Sequence, residues 1–285
     1  MLLRPRETGD MAFQQRTQKP IIFFYGNCQA DKMSSAIQTY NRDIDCVYAG
    51  NSNRVRKFDT ERSKQLLEEA EHIVTQPVMN KDNDDYYENL QEKYGDKLTF
   101  MPYIWLDGLT SMVRSPGASV KGREVMLGQE YIVKQLDQYG LWDTLRRFRQ
   151  NNIEFEHVKR FERSLGELKR REQSCHVTVS DFIEEHYRDR PVMLTHNHPH
   201  PDAICHIAGQ IADRLNLKWA YIGRDNPRRL AAITLAEFDK VFSPYCAEEH
   251  GMTYDWDIQW WEKGNRLISE LDAFLKSQRE MASPA

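Results

Sequence analysis

Five consecutive apolar residues, Ile21-Ile22-Phe23-Phe24-Tyr25, run directly into Gly26-Asn27-Cys28-Gln29. A continuous apolar run this short marks a strand buried on both faces, as in the middle of a mostly parallel sheet. Met33, Ala36, Ile37 and Tyr40 then recur at helical spacing. A strand, a tight glycine turn and a helix bring the first helical N–H groups to the strand's tip. Such a terminus attracts anions and lowers the pKa of a nearby thiol. Cys28 is therefore a candidate thiolate or phosphate-adjacent residue, with Asn27 and Gln29 adding amide donors suited to an oxyanion. The competing reading is a small core side chain, the usual fate of a free cysteine.

The same alternation continues downstream. Residues 44–48 read as a second strand, 60–71 as a helix with Leu66, Leu67 and Ala70 inward, and 73–76 as a third strand stopped by Pro77. Residues 84–94 read as a helix and 98–101 as a fourth strand stopped by Pro102. Strands alternating with helices predict an α/β fold with a mostly parallel sheet, whose ligands gather at the strands' carboxyl ends. Gly26 to Gln29, Gln76 and Met101-Pro102-Tyr103 all fall at such ends and are expected to share one crevice. From about 125 to 190 the chain is rich in charge and helix formers and predicts a helical insertion. Residues 191–195 return to strand character. Pro201 suits the first turn of a helix whose apolar stripe is Ile204, Ile207, Ala208, Ile211 and Leu215. Residues 219–222 read as a last strand and 256–274 as a closing helix. The expected organisation is a disordered segment over 1–18, then a single α/β domain over 19–285 carrying the insertion.

Two further clusters bear on chemistry. His196, His198, His200 and His206 fall within eleven residues, just after a predicted strand. General-base chemistry, metal binding and a polar helix start without a role all compete for them. The intervening prolines and the lack of a His-Glu-x-x-His helix count against metal. Arg224, Arg228 and Arg229 follow the last predicted strand and are placed to reach phosphates from the sheet's carboxyl edge. Lys169-Arg170-Arg171 reads as a solvated helix face.

Composition narrows the partners. The 285 residues carry 39 basic against 43 acidic side chains, a net charge of −4, which gives no broad footprint for nucleic acid or anionic membrane. No window approaches the ~18 apolar residues of a membrane span. The five cysteines form no Cys-x-x-Cys pair, so a reducing, cytoplasmic setting is expected, with no disulfide or zinc framework. The sequence leaves homo-oligomerisation open.

Taken in order, several segments resemble the WcbI-type polysaccharide-biosynthesis acetyltransferases. They are Gly26-Asn27-Cys28-Gln29, Gln76, Met101-Pro102-Tyr103-Ile104-Trp105-Leu106-Asp107-Gly108, Val179-Ser180-Asp181-Phe182-Ile183-Glu184-Glu185 and Asn197-His198-Pro199. The resemblance spans about 19–215. It implies a three-layer α/β sandwich distantly like the SGNH hydrolases. It also implies binding of coenzyme A or acetyl-coenzyme A as substrate, and acetyl transfer to a sugar hydroxyl in capsule or exopolysaccharide synthesis. By the same resemblance Cys28 stands where those hydrolases have serine, and His198 where they have the catalytic histidine. Gln76 then orients acceptor or thioester. His200 follows Asn-His-Pro where relatives tend to have a small polar residue, so either His198 or His200 is the base. With Gly26, Gln76, Arg224 and Arg228, His200 is also a candidate on the coenzyme side. A carbohydrate esterase with the same residues, and a non-catalytic coenzyme A-binding protein, are the alternatives.

Overall fold

The computed structural model describes residues 19–52, 55–56, 61–79, 81–82, 86–120, 123–222, 227–235, 240–255 and 259–282. The segment 1–18, Arg224 and the predicted starts of three helices at Thr60, Asp84 and Trp256 lie outside the described residues.

The first half alternates as its periodicity predicts. Strand β1 (Ile21–Gly26) leads into helix α1 (Cys28–Gln38), then β2 (Asp45–Ser52), β3 (Val55–Arg56), α2 (Glu61–Glu69), β4 (His72–Thr75), α3 (Tyr87–Tyr94) and β5 (Leu98–Phe100). These strands form one sheet of order β3-β2-β1-β4-β5. β2, β1, β4 and β5 run parallel, and β3 folds back antiparallel on β2.

The all-apolar β1 is explained by its central place. Ile22 and Phe24 face α1, while Phe23 and Tyr25 face Leu66, Leu67 and Leu90 of α2 and α3. Each of the four is at most 1% exposed. At about 1.5–3 kcal/mol per large side chain buried, this strand is a main contributor to the core. The result is a three-layer α/β sandwich. After β2 the chain crosses to the other side of β1, so the connections diverge between β1 and β4. In such sheets the crevice opens at that point, outside the carboxyl ends of the strands.

The second half continues with β6 (Met112–Val120), β7 (Arg123–Leu127), α4 (Gln129–Arg149), α5 (His157–Glu172), α6 (Ser180–His186), β8 (Met193–Thr195) and β9 (His198–Pro199). Then follow α7 (Pro201–Arg214), α8 (Pro227–Ile233), β10 (Lys240–Val241), α9 (Pro244–His250) and α10 (Trp260–Ala282). α7 joins α1 on one face of the sheet. A second core gathers Met112, Ile132, Leu136, Phe148, Val241, Leu267, Ile268 and Leu271 from β6, α4, β10 and α10.

Two sequence expectations are corrected. The stretch from 125 opens in a strand, because β7 pairs with β6 in an antiparallel sheet that β10 completes. Its register slips between Ser115 and Ser119, around Pro116-Gly117-Ala118, and that bulge removes the alternation by which a hairpin is recognised. Residues 219–222 join no sheet. There the Lys218 N–H donates to Asn41 Oδ1 at 3.1 Å, and Asn41 Nδ2 donates to the Lys218 carbonyl at 3.0 Å. A side-chain amide beyond the end of α1 thus takes the place of a neighbouring strand.

Candidate active site

The first turn of α1 lies at the carboxyl end of β1, where a parallel sheet of this order is expected to open its crevice. Asn27 caps the helix, its Oδ1 accepting from the Gln29 N–H at 2.8 Å. The Asn27 N–H donates to Gln76 Oε1 at 3.0 Å, and the Ala30 and Asp31 N–H groups point to the Asn27 carbonyl. Among the described residues, the Cys28 N–H has no acceptor other than its own sulfur, which also lies near the Gln29 N–H. Gly26 is required by closeness: a Cβ there would meet Gln76 Oε1 at 2.8 Å and the Ala30 Cβ at 3.0 Å.

Gln29 is 1% exposed, and its amide binds three other parts of the chain. Nε2 donates to the carbonyls of Ile104 and Asn197, both at 2.8 Å. Oε1 accepts from the Ile104 N–H at 3.0 Å and from Gln76 Nε2 at 3.1 Å. Two donor hydrogens and two acceptor lone pairs are the whole capacity of a glutamine amide. All four positions are engaged inside the protein. The bonded backbone groups neighbour Tyr103 on one segment and His198 on another, while Gln29 itself follows Cys28.

Tyr103 and Tyr48 bring phenols to this end of the sheet. The Tyr48 hydroxyl donates to the Gly26 carbonyl at 3.3 Å. Burial, with Cys28 adding to it, pushes the Tyr103 hydroxyl pKa up to about 12, against the pull of Arg171 and Asn197. The Arg171 guanidinium lies 5.7 Å from the Tyr103 ring centroid and donates to the Tyr103 carbonyl at 3.0 Å. Beside them Pro77, Met79, Arg170 and Cys175 line a cavity of about 260 Å³. Arg170 keeps to the solvated helix face that the sequence predicts, 64% exposed and bonded twice to Glu167, whereas Arg171 folds back onto Tyr103 and is half-buried. Arg228 instead is exposed on α8, whose Ala232 carbonyl accepts from Lys32 Nζ at 3.3 Å.

The thiol differs from its sequence expectation. Burial pushes the Cys28 pKa up, Asp31 pushes the same way, and the Cys28 and Gln29 amides with Lys32 only partly offset this. Desolvation thus outweighs the helix terminus, and the resting group is a neutral thiol.

The histidines divide by environment. His198 is buried on β9, opposite Thr195 on β8, one residue from the Asn197 carbonyl that Gln29 holds. His200 caps α7, its Nδ1 accepting from the Asp202 N–H at 3.3 Å. His196 packs edge-on against Trp105 at 4.3 Å and lines a separate cavity of about 350 Å³ with Lys240, Phe242 and Tyr254. Burial pushes the His196 pKa down to about 4, with His198 adding to the effect. His206 stacks on Phe182 at 4.6 Å on an exposed face. Among the described residues no group of three histidine, cysteine or carboxylate side chains is arranged to hold a metal ion.

Residues 21–219 match the family of the polysaccharide biosynthesis enzyme WcbI. The chain belongs to the WcbI family. A solved structure of WcbI, described as a novel polysaccharide biosynthesis enzyme, aligns with a TM-score of 0.58 at 16% identity, over 92% of this chain and 96% of that one. That structure is described as the native protein without a disulfide between coenzyme A and one of its cysteines. No curated protein sequence matches the chain.

The WcbI-type motifs now have physical roles. In 101–108, Ile104 bonds Gln29, Asp107 accepts a two-pronged contact from the buried Arg160, and Gly108 lies against α5. In 179–185, the buried Glu172 carboxylate accepts the Val179 and Ser180 N–H groups at the start of α6. The sequence set Tyr103 at the strand-end crevice and Asn197 in the Asn-His-Pro motif by position, without a role for either side chain.

A Ser-His-Glu chain also occurs away from this crevice. Ser111 Oγ lies 3.0 Å from His157 Nε2, and His157 Nδ1 lies 2.8 Å from Glu249 Oε2. Ser111 and His157 are each 1% exposed, and Ser243 Oγ stands 3.2 Å from Ser111 Oγ. The chain ties the start of β6 to α5 and α9 and offers no surface to a substrate.

Proposed function

We propose that this WcbI family member is an acyl-coenzyme A-dependent O-acyltransferase that moves an acetyl group to a hydroxyl of a sugar or polysaccharide precursor. The observation that carries the reading is the Gln29 clamp. One buried amide, next in sequence to the Cys28 thiol, ties the first turn of α1 to Ile104 and to the turn that bears His198.

In this reading His198 takes the acceptor hydroxyl's proton as its oxygen attacks the thioester carbonyl. The new carbon–oxygen bond forms, the carbon–sulfur bond breaks, and the proton passes to the coenzyme's sulfur. The Cys28 N–H stabilises the oxyanion. The Cys28 thiol lines the thioester. The solved WcbI is described by the absence of a disulfide between coenzyme A and one of its cysteines, and a cysteine near the coenzyme in that relative supports the reading that Cys28 lines the thioester here. A neutral thiol needs a base before it can attack, so direct transfer to the acceptor is the simpler route. Gln29 and Gln76 act as positioning residues, because each is bonded into the frame of the crevice. His200 serves as a helix cap. Arg171, folded onto Tyr103, is better placed than the exposed Arg228 for the coenzyme's phosphates.

Calorimetric titration of coenzyme A and acetyl-coenzyme A tests the reading. About micromolar binding, near −8 kcal/mol, is expected for the wild type, with weakening in Cys28→Ala. A His198→Ala protein should bind the coenzyme and lose transfer. No binding of either ligand sinks the assignment, and acetate release without any sugar acceptor turns it into an esterase.

A further inference from the structure

The acyl-transfer reading sets the coenzyme beside Tyr103 and Arg171 and gives the acceptor no site of its own. A transferase needs two sites that meet at the reacting atoms. Tyr103 lines the cavity of about 260 Å³, and Leu106 lines the cavity of about 350 Å³. Three residues of chain span at most about 10 Å, so one short stretch of the 101–108 segment walls both. A second stretch is tied to it. The Leu106 N–H donates to the His196 carbonyl at 2.7 Å, and Gln29 Nε2 bridges the Ile104 and Asn197 carbonyls. Thr195 and His196 line the larger cavity, and Thr195 pairs directly with His198, which sets their Cα atoms about 5 Å apart. The larger cavity therefore lies beside the residue that the acyl-transfer reading makes the base.

Its lining selects a chemistry. Leu109, Met193 and Leu194 give apolar surface. Phe242 and Tyr254, stacked with ring centroids 5.7 Å apart at 29°, add aromatic surface of the kind that packs on the C–H face of a sugar ring. Lys240 Nζ donates to the Leu194 carbonyl at 2.7 Å, which fixes one ammonium group at the wall, and Lys263 supplies a second. Asp255 is the one carboxylate of the lining, and burial pushes the His196 pKa down to about 4, so that ring adds no charge at pH 7. Two ammonium groups against one carboxylate leave an excess of positive charge. In a concave, half-apolar site that excess is complementary to a ligand with a negative group. The volume stands at the small end of small-molecule sites, which suits one or two sugar rings.

We propose that this cavity is the acceptor subsite and that its occupant is an acidic sugar residue, a pyranose whose carboxylate or phosphate meets Lys240 and Lys263 while its ring packs on Phe242 and Tyr254. The role of acceptor rests on the acyl-transfer reading; the binding of an acidic sugar does not.

The test is binding of three probes, methyl β-D-glucopyranosiduronate, glucose 1-phosphate and the neutral methyl β-D-glucopyranoside. Each is titrated by saturation-transfer NMR into the protein alone and with saturating coenzyme A. At least one anionic probe should bind tenfold or more tightly than the neutral one and keep its Kd within twofold when coenzyme A is present. The tighter of the two identifies the anion. Lys263→Gln, on the half-buried side of α10, should weaken that binding about tenfold and leave the Kd for coenzyme A within twofold of wild type. Tyr254→Leu should weaken the anionic and the neutral probe alike. No binding of either anionic probe, equal binding of charged and neutral probes, a Kd unmoved in Lys263→Gln, or displacement by coenzyme A overturns the proposal and leaves the transferase reading in place. Lysine-dependent binding in a protein that does not bind coenzyme A keeps the acidic-sugar site and removes the transferase reading.

Discussion

The Gln29 amide has four hydrogen-bonding positions, and Ile104, Asn197 and Gln76 engage all of them. From the sequence, a glutamine next to a candidate nucleophile reads as an oxyanion donor. In the folded chain it has no hydrogen left to give. Its effect on chemistry passes through the residues it positions. Gln29→Met keeps the volume and removes every bond, leaving the Ile104 N–H, a Gln76 side-chain N–H and the Ile104 and Asn197 carbonyls without that partner. At about 1–3 kcal/mol for an unsatisfied buried group, partly relieved by relaxation, the expected loss is on the order of 3 kcal/mol. For a chain this long that lowers Tm by several degrees. Thermal unfolding followed by circular dichroism measures it, and a Tm within a degree of wild type would show that the clamp holds nothing. Residue roles of this kind were illegible in the sequence because they depend on contacts 75 and 168 positions away.

At the scale of elements, legibility followed the source of the signal. β1, α1, α2, β4 and α7 announce themselves because one face, or both, is buried in a regular period, and burial is what periodicity records. The β6–β7 hairpin does not, since a bulge at Pro116-Gly117-Ala118 breaks its alternation. The connection from β5 to β6 is similar: it is irregular, yet closely fitted. Gly108 adopts φ 89°, and a Cβ there would meet the His157 carbonyl oxygen at 2.3 Å and the Phe161 nitrogen at 2.5 Å. Both are backbone atoms of α5, so neither can swing away. Its own carbonyl accepts from His250 Nε2 at 3.0 Å. Gly108→Ala must therefore separate the connection from α5, and Arg160 from Asp107 with it. A loss of about 3 kcal/mol or more is expected, at or above the upper end of the roughly 1–3 kcal/mol of ordinary overpacking. The urea midpoint of the variant measures it; a midpoint equal to wild type would mean that α5 does not pack as closely as these distances require.

At the scale of the molecule, the crevice was legible as a place before it was legible as a mechanism. Strand ends at Gly26, Gln76 and Met101 located it, because a doubly wound sheet has one point where its connections diverge. The contact of Arg171 with Tyr103 and the bond from Gln29 to the Asn197 carbonyl emerged only with folding. So did a pH response carried by buried histidines. Burial, with Arg160 and His250 nearby, pushes the His157 pKa down to about 3 against the pull of Asp107, and burial with His198 pushes His196 down to about 4. Glu249, 2.8 Å from His157 Nδ1, accepts from the neutral ring and holds that tautomer. Both histidines are neutral when folded and take up protons when unfolded below about pH 6.5. Between those limits the unfolded chain binds more protons, so the two contribute fully above pH 6.5 and lose stability as pH falls toward 4 and then 3. At pH 5 the loss is about 2 kcal/mol for each, on the order of 3 kcal/mol together once the Glu249 contact to His157 is counted. Urea unfolding at pH 7 and pH 5 should show the midpoint fall, and the fall should be smaller in His157→Gln, which cannot titrate. An equal fall in that variant would take His157 out of the acid sensitivity and leave it to His196 or to carboxylates, and a midpoint constant between the two pH values would mean that neither histidine is held neutral.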